Sequence, residues 1–487
     1  MRTRNRHLTP ILLVAALAIP VAAQPPEEAP SLKGVVRLNK APVSNELLRV
    51  KLPRPQEATL KNGMTLMVLE DHRVPTFTLR IVLPVSSLAE PEDLLGVAGA
   101  TAAMLTLGTK TMDSRQLAEK LAELGGSLNA SSGSSTTSIS VSGLIDNMDD
   151  LLGMLREVLL EPTFPQDELD KWKQSQLARL QQLRSNPSFL ASERISRILY
   201  PDDLRGVVVP TEESIRTLTR ENLVDYHAAH FVPMAGGLVG VAGDVSRQEM
   251  TEKIEKLLAG WKPGKAQPPE VKIEGPIQKR QIVLIDRPNS VQTHLVFANR
   301  AITRMDPDYV ACMVMNHVLG SGPSARLFRN IREEKGYTYG IYSSFDASKY
   351  VNDFSASMSV RTEVTGPATE ELLKEFRDIR DRLVPAEELA SAKRALVASF
   401  ALSLESTPGL LGRAMSLKEY GLPADYWNNY PDMVMKVTAE QVRQVARKYV
   451  PVDNIQIVAV GDPARIRDVL KQFGEVEEYT AEGARVD

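Results

Sequence analysis

Cysteine is almost absent. Cys312 is the single one in 487 residues, so no internal disulfide can form and no cysteine stands near the N-terminus to carry a lipid. Stability must therefore come from core burial rather than cross-links. An excess of charge of either sign is missing too: 58 Lys and Arg against 61 Asp and Glu leave a net charge of −3, which gives no electrostatic reason to expect nucleic acid or an anionic membrane as partner. Long apolar runs are also lacking. The run from Ile11 to Ile19 is about half of the roughly 20 residues a spanning helix needs, so no stable membrane insertion is expected. Histidine is scarce, with six in all. His227 and His230 have helical spacing, but they precede Phe231-Val232-Pro233, read as the start of a strand, and fit packing or capping. His72, His294 and His317 are isolated.

What is present is an ordinary globular composition, 43% hydrophobic and 24% charged, long enough for two or more domains. Arg2, Arg4 and Arg6 ahead of the apolar run, then Pro20 and Val21-Ala22-Ala23, predict a cleaved signal peptide over 1–23 and export to the periplasm of a Gram-negative bacterium. A proline-rich lead-in covers 24–55.

The rest is one unit written twice. Phe231-Val232-Pro233 with Gly243-Asp244 recurs as Tyr449-Val450-Pro451 with Gly461-Asp462. Phe164-Pro165 recurs as Val384-Pro385, and Leu107-Gly108-Thr109 as Leu319-Gly320-Ser321. From Leu107 to Leu319 is 212 residues and from Pro165 to Pro385 is 220, the spread expected of a duplicated domain with small insertions. Within the unit, Asn62-Gly63 marks a hairpin, and Phe77, Leu79 and Ile81 alternate along a strand. Helices are predicted over 96–107, 114–124 and 149–160. The fold class is α+β: two tandem homologous α/β sandwich domains, strands on one side and helices on the other, over 56–262 and 277–480 with a linker at 263–276.

One stretch, Gly320 to Phe345, carries the chemistry. Ser324 can cap a helix with Leu327, Phe328 and Ile331 on its apolar face, Gly336 ends it, and a strand runs on from Tyr337 to Phe345. The reversal at the glycine lets Arg332 and Tyr339 meet as a guanidinium and a phenol at a sheet edge. From the local pattern alone they read first as a surface arginine and a half-buried tyrosine.

The chain resembles the insulinase/pitrilysin family of zinc peptidases, the inverzincins. The resemblance rests on Asn62-Gly63, Gly96-Val97-Ala98 with Met104-Leu105-Thr106-Leu107-Gly108-Thr109, Leu124 to Ala130, Phe164-Pro165, and Leu327 to Tyr339. It implies half of a clam-shell fold. In active members the first of these helices carries His-x-x-Glu-His, two zinc ligands on one face with a general-base glutamate between them. The aligned positions here are Gly99, Ala102 and Ala103, and the third ligand's position holds Arg179. None binds a metal, so no zinc is expected in this chain.

The resemblance also implies that Arg332 and Tyr339 hold the substrate backbone and stabilise the oxyanion across the cavity from a zinc. It places a peptide-binding strand over Ser127 to Ser142, with Asn129 and Ala130 as contacts, although an edge strand blunted by polar residues gives the same pattern. Some family members divide the work between two chains. This one is then the chain without zinc, inactive alone, paired with a homologous His-x-x-Glu-His subunit that carries the zinc and acts with it on peptides. The alternative is a catalytically inactive peptide-binding or assembly scaffold of the same fold.

Overall fold

The structure, a computed structural model, describes residues 51–486 apart from 202 and 265. The expected signal peptide and most of the lead-in lie outside the described residues.

The first half contains strands β1 (Gln56–Thr59), β2 (Thr65–Glu70), β3 (Thr76–Leu83), β4 (Ser127–Ser132), β5 (Thr137–Leu144) and β6 (Leu238–Gly243), in the sheet order β1-β2-β6-β3-β5-β4. Its helices are α1 (Val97–Met104), α2 (Ser114–Glu123), α3 (Met148–Leu160), α4 (Gln166–Arg184), α5 (Pro187–Leu199), α6 (Glu212–Thr217), α7 (Arg220–His230) and α8 (Arg247–Leu257).

The second half contains β7 (Ile282–Asp286), β8 (Gln292–Arg300), β9 (Thr338–Ala347), β10 (Asn352–Arg361), β11 (Gln456–Gly461), β12 (Val476–Tyr479) and β13 (Arg485–Val486), ordered β13-β12-β7-β11-β8-β10-β9. Its helices are α9 (Tyr309–Leu319), α10 (Thr365–Asp381), α11 (Ala386–Leu402), α12 (Thr407–Glu419), α13 (Tyr426–Lys436), α14 (Ala439–Tyr449) and α15 (Pro463–Lys471).

Apart from the outermost strands, the two sheets share one topology. β2-β6-β3-β5-β4 matches β7-β11-β8-β10-β9, each with one parallel pair followed by antiparallel ones. Local signals repeat as well: Thr219 with Asn222 closes a capping box on α7, and Thr438 with Gln441 does the same on α14. The duplication read in the sequence is a duplication of structure.

Each sheet has its main core on one face. Phe77, Leu79 and Ile81 project into the first, with Leu151, Leu155 and Val158 of α3. Phe297, Phe354 and Phe376 fill the second. The expectation of strands on one side and helices on the other needs a correction, because each half lends a helix to the back of the other's sheet. From the second half, α12 sets Leu411, Ala414 and Met415 against Met67, Leu69, Val82 and Leu238. From the first, α5 sets Phe189, Leu190, Ile195 and Leu199 against Val283, Val296, Val458 and Val460. This explains why Val82 is apolar on a strand face that otherwise carries Thr78 and Arg80. Burying a side chain such as Leu411 or Leu190 contributes about 1.5–3 kcal/mol. The approach is close: a Cβ on Gly240 of β6 would lie 2.4 Å from the sulfur of Met415.

A second correction concerns Phe231-Val232-Pro233, which is loop; β6 begins only at Leu238. Pro233 has no N–H for a ladder. The Phe231 N–H bonds the His227 carbonyl at 2.9 Å, and the Phe231 carbonyl accepts from the Trp261 indole at 2.9 Å, so the helix end and a side chain take its backbone groups.

The two halves also meet at Tyr200, just past α5. Its hydroxyl accepts from the Asn352 N–H at 3.1 Å and lies 3.4 Å from the carboxylate of Asp353. Burial pushes Asp353 up to about 7 from an ordinary 3.8, with Asp346, directly across the strand pair, adding to it. A carboxyl whose folded pKa lies above its unfolded one is costly once ionised. The cost is absent below about pH 4, grows as pH rises to 7, and is constant above that, with an upper bound of about 4 kcal/mol. Asp353→Asn is therefore expected to melt higher than the parent at pH 8 and at the same temperature at pH 4, in paired thermal melts.

Candidate functional site

The segment after α9 folds back on the edge of the second sheet. Arg326 and Leu327 begin a helix that widens into a π-helical turn over Phe328–Glu334. The Lys335 N–H reaches the Asn330 carbonyl at 3.0 Å, a five-residue step, and the Tyr337 N–H reaches that of Ile331 at 3.0 Å. Phe328 and Ile331 are buried, as the apolar face predicts, but the cap expected at Ser324 is replaced by a turn in which the Ala325 N–H bonds the Gly322 carbonyl. The turn is held from below. The Asn330 amide donates to Glu371 at 3.0 Å and to Glu375 at 2.7 Å, both on α10. Such wide turns are frequent at functional sites. Gly336, at φ +64°, then reverses the chain into β9.

Arg332 and Tyr339 are brought together, though not through the phenol. The Arg332 Nε donates to the Tyr339 carbonyl at 3.1 Å, and the guanidinium carbon lies 4.7 Å from the centre of the Phe328 ring and 5.8 Å from that of Tyr339. One N–H is used to fix the fork, and among the described residues its two terminal nitrogens make no hydrogen bond, with Glu333 near at 3.9 Å. The register of β9 on β10 slips between Ile341, opposite Met358, and Thr338, opposite Val360. That bulge turns Tyr339 out of the sheet, and it is 92% exposed. Chemically the pair offers a planar cation and a phenolic O–H on one rim, donors suited to a peptide carbonyl or an oxyanion.

Two edge strands differ in what they leave open. On β9 the Ser343 N–H is taken by the Gly320 carbonyl at 2.9 Å and the Ser343 carbonyl by the Asn316 amide at 3.0 Å. The outer edge of β4, with Asn129 exposed and Ala130 half-buried, makes no backbone bond to any other described segment. The stretch from Ser127 to Ser142 is thus a hairpin of two strands, and only β4 offers a free edge for an extended chain.

The zinc-motif positions lie on α1 and α4, which touch. Gly99 is exposed and Ala103, one turn on, half-buried; Ala102 is buried, and Arg179 is exposed. A hydrogen, two methyl groups and a guanidinium supply no lone pair to a metal and repel one, so these residues do not fit zinc. Among the described residues no three His, Cys, Asp or Glu side chains stand close enough to hold a metal ion. His227 donates from Nε2 to the Leu159 carbonyl at 2.9 Å and stacks on Phe231, while His230 stacks on Tyr226. Burial pushes both pKa values below the ordinary histidine range. His72 pairs with a single carboxylate, that of Asp244, at 2.6 Å.

Sequence reasoning passed over Glu90. Its carboxylate accepts from the N–H groups of Gly96 at 2.7 Å and Ala98 at 2.8 Å and so caps α1 from a separate loop. Burial raises its pKa. Six residues of irregular chain separate the two, and no local pattern marks the pairing.

Residues 66–206 match the family described as insulinase (peptidase family M16), and residues 217–396 that described as the peptidase M16 inactive domain. The chain belongs to the insulinase family. Among the family's curated members it is 24% identical to an "uncharacterized zinc protease YmxG" of Bacillus subtilis, over 73% of this chain and 86% of that one. It is 23% identical to a "non-peptidase homolog YmxG" of Helicobacter pylori, over 81% and 90%. In structure it is similar to a peptidase M16 inactive domain from Pseudomonas fluorescens, with a TM-score of 0.77 and 28% identity over 84% of this chain and 98% of that one. It also superposes on the periplasmic protease PqqL of Escherichia coli, TM-score 0.72 and 17% identity, over 87% of this chain but 47% of PqqL. Insulinase-family architecture, with the duplicated unit forming half of a clam-shell, is therefore the architecture of this chain. It is a peptidase-like member whose zinc-motif positions hold no ligand.

Proposed function

We propose that this chain is the zinc-less subunit of a heterodimeric periplasmic metallopeptidase, supplying Arg332 and Tyr339 to a homologous partner that carries His-x-x-Glu-His and the zinc. The observation that carries the reading is the pre-set guanidinium. Arg332 is locked by the Tyr339 carbonyl and the Phe328 ring, with its outer nitrogens and the Tyr339 hydroxyl turned to solvent, while no metal site for them to serve stands among the described residues. Holding a planar fork in one orientation lowers the ordering cost of binding and favours donation to charge that develops during reaction. The match to just under half of PqqL supports a two-half assembly, and that protein's description as periplasmic agrees with the signal peptide read at 1–23.

In this reading the substrate is a peptide. Its backbone adds to the open edge at Asn129 and Ala130, and its scissile carbonyl meets Arg332 and Tyr339 opposite the partner's metal. The scaffold reading finds support in the non-peptidase name of the Helicobacter relative. Co-expression with an exported His-x-x-Glu-His homologue separates the two: a 1:1 complex that cleaves peptides is expected, with an interface of roughly 1,200–2,000 Å² or more. Sedimentation that finds only separate monomers at micromolar concentration favours the scaffold.

A further inference from the structure

Two arginines of the second half carry charges that no carboxylate among the described residues answers. Arg304, in the turn before α9, is 6% exposed. Its Nη1 donates to the Tyr426 hydroxyl at 3.3 Å, and its Nη2 is buried without a partner. Its guanidinium carbon lies 4.0 Å from the ring centre of Tyr309 and 5.3 Å from that of Trp427. Arg413 of α12 lies 4.5 Å from the centre of the same Trp427, and its one side-chain bond runs from Nη2 to the Ser403 hydroxyl at 3.2 Å.

Neither arginine forms an ion pair among the described residues, and the phenols do not supply the missing charge, because burial pushes Tyr309 and Tyr430 up and keeps them protonated. Guanidinium stays charged at any ordinary pH. Ring faces attract a cation, yet two like charges around one indole, with a buried donor unmet, leave a net positive cluster. Tyr309 and Tyr426 are only half-buried, so its rim reaches solvent.

We propose that this aromatic box binds one small monovalent anion, a halide or a carboxylate, between Arg304 and Arg413. With one unmet donor on Arg304 it suits a single charge better than a phosphate, which needs several. Occupancy ties the turn before α9 to α12, the helix whose other side is seated on the first half's sheet, and so stiffens the join between halves.

Trp427 reports on the box directly. In the mature chain carrying Trp172→Phe and Trp261→Phe, iodide replacing gluconate at constant ionic strength should quench Trp427 along a saturating curve with a midpoint of about 1–10 mM. With Arg413→Met the saturation should vanish. Formate raising the iodide midpoint extends the site to carboxylates, and formate without effect confines it to halides. If the two tryptophan changes unfold the chain, melts of the parent decide: about 2 °C or more higher in chloride than in gluconate, with no difference for Arg413→Met. An unquenched Trp427, quenching that is linear with one slope in both chains, or equal parent melts in both salts would overturn the proposal and leave the ring faces as the cations' only partners.

Discussion

Arg332→Ala, or Tyr339→Phe, is expected to lower the turnover of the proposed two-chain peptidase by roughly 10²–10³, the usual cost of removing one donor to a developing oxyanion. The loss should fall mainly on kcat, because the contact strengthens as charge develops. Folding and complex formation should survive. Tyr339 stands in solvent, and the Arg332 side chain is substantially exposed, so neither change opens a cavity. Arg332→Lys should restore only part of the rate, since an ammonium cannot hold the Tyr339 carbonyl and still present a planar fork. A structural role would instead show as a lowered melting temperature in step with activity. Full activity in a well-folded complex carrying both changes would mean the wrong residues have been assigned.

The second large effect is on metal affinity. Gly99→His, Ala102→Glu, Ala103→His and Arg179→Glu together are expected to create a site for one zinc per chain. The same set without the change at 179 should bind it more weakly by more than the roughly 10–100-fold that even an outer-shell change costs a zinc site. The backbone permits the first change, because nothing lies within 4 Å of a Cβ built on Gly99. Ala102 is less accommodating: it is 1% exposed, and a carboxylate there must reach the ion to be tolerated. Zinc titration of the two variants, with a melting curve on each, gives the comparison. Equal affinity would show that Arg179 does not face the site.

Much of this was legible in the sequence because the signals are local. Alternation at Phe77, Leu79 and Ile81 and the glycine between Arg332 and Tyr339 each act within a few residues. What was not legible is long-range. Nothing near Leu411 or Phe189 says that α12 and α5 cross to the opposite sheets, since an apolar helix face does not name the surface it covers. The bulge that turns Tyr339 outward depends on β10, and the capping of α1 by Glu90 depends on a loop. Phe231-Val232-Pro233 reads as strand by composition, but its backbone groups are claimed by a helix end and by Trp261. At the site itself, the residue pair was legible, but the means of holding it was not. The guanidinium is fixed by a backbone carbonyl and a buried ring, and a wide helical turn is anchored on Glu371 and Glu375.

The central claim is that this chain is built to serve a zinc it does not bind. Metal analysis of the purified chain after dialysis tests it most directly. Far less than one zinc per chain is the predicted result, even when zinc is supplied during expression. About one zinc per chain, retained against a weak chelator, would contradict it.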